Sequence, residues 1–168
     1  MILHLILASL ILVVANAADC TYYRSQNKIQ CGSITCSTVN PGSSKLPSGF
    51  YRIGARRTHK GVGWMDLYKQ ISSTNKYGTG YWDYSTRIPE ESCRGGFGLH
   101  HGLVSRGCIT VRDTQCFNRI ASRIGSSQIS FNVKECPSYF KCKLFMCESE
   151  SKLNTLSRQY VGSLESRN

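Results

Sequence analysis

Nine cysteines behind an apolar leader that contains none place the tightest limit on how this chain can fold. They are Cys20, Cys31, Cys36, Cys93, Cys108, Cys116, Cys136, Cys142 and Cys147. An odd number cannot all pair within one chain, so an oxidised monomer keeps at least one thiol. Three cluster at the start, three lie near the end, and Cys93 and Cys116 flank Cys108. Setting Cys108 aside leaves eight, enough for about four bridges, each contributing roughly 2–4 kcal/mol though not additively. Spacing does not decide which cysteine joins which, and Cys108 as a bridge partner is the competing assignment. The runs Cys31-x4-Cys36 and Cys142-x4-Cys147 lack histidine partners, so they read as staples rather than zinc ligands. No metal or cofactor is implied.

Residues 2–14 are almost wholly apolar, and Ala15-Asn16-Ala17 is a small-x-small cleavage signal. The run is too short to span a bilayer and fits a removable signal peptide, residues 1–17, cut after Ala17. The expectation is a secreted, soluble protein in a compartment where disulfides form, without stable membrane insertion. About 150 residues remain, enough for one domain with a real core.

Residues 18–45 are rich in Ser, Thr, Asn and Cys and read as an irregular, disulfide-tied segment. From Leu46 the pattern turns to strands. Phe50-Tyr51-Arg52-Ile53 alternates after Pro47-Ser48-Gly49. Val62 to Ile71, Tyr77 to Tyr84 and Phe97 to His100 follow, with Trp64, Tyr68, Tyr81 and Trp82 as core or sheet-face aromatics. Arg56-Arg57-Thr58-His59-Lys60 reads as a solvated turn, with a processing site or ligand patch as its other uses. Asp113 opens a helix in which Phe117, Ile120 and Ile124 share a face, and Gly125 ends it. Ile129, Phe131 and Val133 alternate as a strand, and Lys141 to Met146 makes a last edge. Residues 148–168 are polar and read as a tail beyond a body spanning 46–147. The whole is mainly β with one packed α-helix.

Net charge is +11. The stretch from Glu148 holds three acids (Glu148, Glu150, Glu165) and three bases (Lys152, Arg158, Arg167), so the excess belongs to the body. Such a surface draws polyanions, including bacterial wall polymers and anionic lipid. Nucleic acid is disfavoured as a partner, because no stacked-aromatic binding motif is present.

The chemistry concentrates in Leu99-His100-His101-Gly102-Leu103-Val104-Ser105-Arg106-Gly107-Cys108-Ile109-Thr110-Val111. A thiol is only a few per cent ionised near neutrality, and an imidazole partner stabilises the thiolate and later protonates a leaving amine. Gly102 and Gly107 permit the tight backbone that returns Cys108 to a histidine at the preceding strand end. Backbone amides around Gly107 and Cys108 are candidate oxyanion donors. A strand would point His100 and His101 to opposite faces.

These residues resemble the catalytic motif of the L,D-transpeptidase superfamily, in which apolar-His-Gly or apolar-His-x-Gly precedes Ser/Thr-x-Gly-Cys-Ile. Leu46-Pro47-Ser48-Gly49-Phe50-Tyr51-Arg52-Ile53 is similar to the family's Pro-x-Gly-x-aromatic-x-Ile strand, so the likeness covers roughly 46–125. The resemblance implies a β-rich catalytic domain and a cysteine acyl-enzyme formed on peptidoglycan stem peptides. Attack falls on the carbonyl between an L-centre and a D-residue, and the acyl group passes to an amine or water. On this likeness Cys108 is the nucleophile, His100 or His101 its base, and Ser105 to Gly107 the loop that meets substrate. Arg106 stands where many members have His, and Thr110 where many have Arg; Arg106 or Arg112 is a candidate for gripping a substrate carboxylate. The short His-to-Cys interval matches compact secreted antibacterial members. The other functional readings are a non-catalytic cationic binder of wall polymers or anionic surfaces, and a basic toxin or nuclease using His59 with His100.

Overall fold

A computed structural model describes residues 19–42, 45–70, 82–83, 96–125, 129–135 and 154–168. The leader, Cys93, Cys136, Cys142, Cys147, the expected edge at Lys141 to Met146 and most of Tyr77 to Tyr84 lie outside these residues. Within them the chain is mainly β, with eleven strands and one helix.

The first half of the sheet starts where an irregular segment was expected. β1 (Cys20–Tyr23), β2 (Lys28–Cys31) and β3 (Ile34–Ser37) form an antiparallel meander. Cys20, Tyr22, Ile29, Cys31 and Cys36 alternate inward and are almost fully buried. In this segment cysteine does the work of a small core hydrophobe as well as a staple. Cys20 is paired across the strands with Cys31 and bonded to it, so Cys31 and Cys36 do not staple one another.

β4 (Gly49–Gly54) begins at the expected Pro-Ser-Gly start and is anchored by the Tyr51 hydroxyl, which donates to the Pro47 carbonyl at 2.7 Å. Burial raises the Tyr51 pKa, so this phenol stays a donor. Arg57 to His59 form a strand, β5 (Arg57–His59), rather than the solvated turn expected of that basic cluster. The turn itself is Lys60-Gly61, both at positive φ (49° and 80°), which suits a two-residue hairpin into β6 (Val62–Gln70). β7 (Trp82–Asp83) pairs with the far end of β6.

β8 (Gly98–His101) and β9 (Ile109–Val111) lie side by side in parallel, and α1 (Thr114–Ile124) follows at once. Its Asp113 cap accepts from the Cys116 amide at 2.6 Å, and Phe117, Ile120 and Ile124 form its buried face, as the spacing predicts. The helix covers β3, β2, β8 and β9, and the Cys36–Cys116 disulfide fixes it there.

β10 (Ile129–Glu135) pairs with the last strand, β11 (Asn154–Arg167). The polar segment expected to be a tail is thus the central strand of the sheet. β11 binds β10 and β4 antiparallel and β1 parallel. Its polar look has a simple cause: its inward positions are Gly162, Leu164 and Ser166. Gly162 is needed there, because a Cβ would stand 2.5 Å from the Ile124 side chain. The Asp19 carboxylate accepts from the Ser163 amide and hydroxyl, tying the start of β1 to β11. β1, β2, β3 and β11 therefore share one sheet with the strands between them.

The sheet order runs β3-β2-β1-β11, crosses to β6 through β4 and through β10 and β7, and continues to β8 and β9. A bridge from Thr38 to Val111, with Val39 N–H on the Thr110 carbonyl at 2.8 Å, returns β9 to the end of β3. The result is a nearly closed barrel whose interior holds Ile53, Met65, Leu67, Leu99, Ile109 and Leu164. Its disulfides are of the kind that persist in oxidising, extracellular-type compartments. No helix among the described residues is long and apolar enough to cross a membrane.

Replacing Cys36 and Cys116 together by Ser should lower the unfolding free energy by about 3–5 kcal/mol, the entropy of a long closed loop. Chemical denaturation followed by circular dichroism measures it, and a loss below about 1 kcal/mol would show that α1 holds its place without the bridge.

Candidate active site around Cys108

Parallel pairing of β8 with β9 over a connection of seven residues, Gly102 to Cys108, brings the histidines and the cysteine together. The ladder sets Leu99 against Ile109, His100 against Thr110 and His101 against Val111. Continued one residue back, it sets Cys108 beside Gly98. By strand spacing, the Cα atoms of Cys108 and His100 then stand roughly 8 Å apart, within reach of a thiol and an imidazole. Cys108 is half-buried and belongs to neither described disulfide.

The loop that delivers Cys108 is shaped by Ser105. Its hydroxyl donates to the Cys108 carbonyl at 2.8 Å and accepts from the Gly107 amide at 3.2 Å. Gly107 is buried at φ 119°, a conformation that side chains resist. Ser105 therefore positions the Cys108 backbone, and the Gly107 amide, expected as an oxyanion donor, is occupied by that hydroxyl. Arg106 and Arg112 are both exposed, and the Arg112 amide bonds the Ser37 carbonyl. Leu103 and Val104 at the loop tip are 77% and 74% exposed, so the loop stands clear of the barrel.

Alternation along β8 separates the two histidines. His101 turns toward α1, with Nδ1 3.3 Å from the Thr114 hydroxyl and its ring against Phe117. His100 turns to the outer face. Its Nδ1 is 2.9 Å from the His101 carbonyl, which can only accept, so Nδ1 carries the proton of the neutral ring. Nε2 is then the basic nitrogen, and at 3.1 Å it accepts from the Thr110 hydroxyl. Thr110 is two residues from Cys108, the spacing that keeps side chains on one strand face. Burial lowers the His100 pKa, opposed by the Nδ1 bond and reinforced by the charges of His101 and His59. The ring is therefore neutral near pH 7, the state a base requires.

Trp64 holds that ring in place. It lies opposite His100 in the β6–β8 ladder and stacks on it at 4.7 Å and 11°. Gly98 makes room, since a Cβ there would meet the indole at 2.3 Å. The indole N–H donates to Asp66 at 2.7 Å, and Asp66 takes both arms of Arg57 at 2.9 Å. His59 closes the row with its ring 4.9 Å from the indole. The sequence does not single out Asp66, and it offers Trp64 only as a core or sheet-face aromatic, Arg57 only within a basic cluster whose other uses include a ligand patch, and Thr110 only as a departure from the resembled motif. The Trp-x-Asp spacing signals a shared strand face, but the register that sets Trp64 opposite His100 has no local signal.

Set beside protein-family models, curated proteins and solved structures, the chain has no match in any of the three.

His100 is charged more easily in the unfolded chain than in the folded one. Its contribution to stability is complete above the ordinary histidine pKa of about 6.5 and is lost as pH falls through the lower folded value. Urea unfolding across this range should show stability falling below about pH 6.5, with a shallower fall in His100→Gln. Identical slopes in the two proteins would contradict the placement of a buried neutral ring.

Proposed function

We propose that the chain is a secreted cysteine acyl-transfer enzyme acting on peptidoglycan stem peptides, with an antibacterial role. The carrying observation is the His100 ring, its Nδ1 proton fixed on a backbone carbonyl and its Nε2 turned toward the strand that begins after Cys108. Nε2 takes the Cys108 proton as the Thr110 hydroxyl yields its place, and the thiolate attacks the carbonyl carbon of an L-centre. The tetrahedral intermediate collapses with cleavage of the C–N bond, and the imidazolium returns the proton to the leaving amine of the D-residue. Water resolves the thioester in L,D-carboxypeptidase or endopeptidase action, and a second amine resolves it in L,D-transpeptidation. The sequence motif supplies the substrate class, and the net charge of +11 suits a target coated in anionic polymer.

The charge alone also suits a non-catalytic wall binder, and one experiment separates the two. Mature protein incubated with purified muropeptides should release a terminal D-residue or open cross-links, with turnover reduced at least about a thousandfold in Cys108→Ala. Unchanged muropeptides, with salt-sensitive wall binding retained in Cys108→Ala, would establish the binder and reject the enzyme.

A further inference from the structure

Among the described residues, three large apolar side chains stand more than half exposed, and two of them, Leu103 and Val104, are chain neighbours at 77% and 74%. Phe50, the third, lies apart: Tyr51 beside it pairs with Lys69 near the far end of β6, whereas β8 pairs with Trp64 to Asp66. The exposure of Leu103 and Val104 is imposed by the chain on either side of them. Gly102 donates its N–H to the Val111 carbonyl at 3.0 Å, and the Ser105 hydroxyl is tied at 2.8 Å to the Cys108 carbonyl and at 3.2 Å to the Gly107 amide. A tip braced at both ends keeps its two aliphatic side chains in water, at a cost that docking relieves.

Cations flank this loop. Arg106 is exposed just beyond Val104. Arg112 is exposed and follows Val111, whose carbonyl holds Gly102. Along β9 it shares the alternation of Thr110, while Ile109 and Val111 point into the core. β6 runs antiparallel to β8 with Trp64 opposite His100, so the ladder continued toward the start of β6 sets Val62 level with Gly102. The β5–β6 turn, with its exposed Lys60, therefore adjoins the root of the loop. Across 60–62, 102–107 and 112–114 the one carboxylate is Asp113, which is engaged as the cap of α1.

Aliphatic side chains that project among lysine and arginine match a bilayer, whose acyl region lies just below its anionic phosphates. A protein partner fits less well, since a stable interface buries about 800 Å² on each side and two aliphatic side chains supply a small part of that. A soluble polyanion would engage the cations and leave Leu103 and Val104 in water. We propose that the Leu103–Val104 tip docks this protein on anionic phospholipid bilayers, with both side chains at the acyl boundary and Lys60, Arg106 and Arg112 at the phosphates. The docking is peripheral and reversible, because little apolar surface enters the lipid. It stands independently of the acyl-transfer reading and sets the Cys108 loop against a membrane face.

Sedimentation of the mature protein with vesicles tests the docking without any turnover. Vesicles of equal parts phosphatidylglycerol and phosphatidylcholine should bind it at least about tenfold more tightly than phosphatidylcholine alone. The double variant Leu103→Ser, Val104→Ser should lose about tenfold in binding to the anionic vesicles, and Arg106→Gln and Arg112→Gln about fivefold each. All four side chains are exposed, so the variants keep their fold. In a Leu103→Trp protein, the indole emission added to that of the unmutated protein should shift to the blue on anionic vesicles and stay unchanged with dextran sulfate, a polyanion without an apolar layer. Anionic-vesicle binding that survives the double serine variant undiminished would reduce the interaction to diffuse charge and overturn the tip. A Leu103→Trp emission that vesicles leave unmoved would do the same. A lipid-free dimer in sedimentation velocity that the serine variant dissolves would replace the bilayer with a second copy of the chain.

Discussion

The arrangement depends on two adjacent strands that run parallel although only seven residues join them. Parallel neighbours ordinarily need a crossover of a dozen residues or more, because the chain must return the full length of the strand before starting again. Here β8 and β9 are so short that the return is small, and the chain makes it with glycine at Gly102 and Gly107 and with the Ser105 hydroxyl bracing the loop. The consequence is chemical. A hairpin would carry the cysteine's strand back in the opposite sense, whereas the parallel ladder puts His100 level with Thr110 and one alternation from Cys108. The helix and the Cys36–Cys116 bridge hold that ladder from inside, and Thr38 and Val39 hold its outer edge.

The imidazole at the centre is governed by two opposing effects. Burial against Trp64 favours its neutral form, while the His101 carbonyl stabilises the proton on Nδ1. Burial is the larger, so the ring enters any reaction as a base rather than as a cation. The Nδ1 contact then decides which nitrogen does the chemistry. Thr110 gives the resting ring a neutral partner on the other side.

Much of this was legible in the sequence where local physics is decisive. The cap at Asp113, the apolar face of α1, the stop at Gly125 and the strand opening at Val62 follow from local pattern alone, and the structure has them at those residues. The opposition of His100 and His101 followed from strand geometry, and the structure places them on opposite faces. What the sequence concealed is non-local. β11 hides its buried face behind glycine and serine, and β1 to β3 hide theirs behind cysteines that look like staples. Trp64, Asp66 and Arg57 enter the site through cross-strand register, which no single segment encodes.

The central proposal is that the neutral His100 ring takes the Cys108 proton as the sulfur attacks. Its most direct test is the pH dependence of Cys108 alkylation in the folded, unreduced protein, with the modified residue located by peptide mass spectrometry. The account predicts an inflection well below the ordinary thiol value of about 8.5, shifting up toward that value in His100→Gln and staying put in His101→Gln. An inflection at the ordinary value in all three proteins, or a Cys108 that reacts only after reduction, would contradict it.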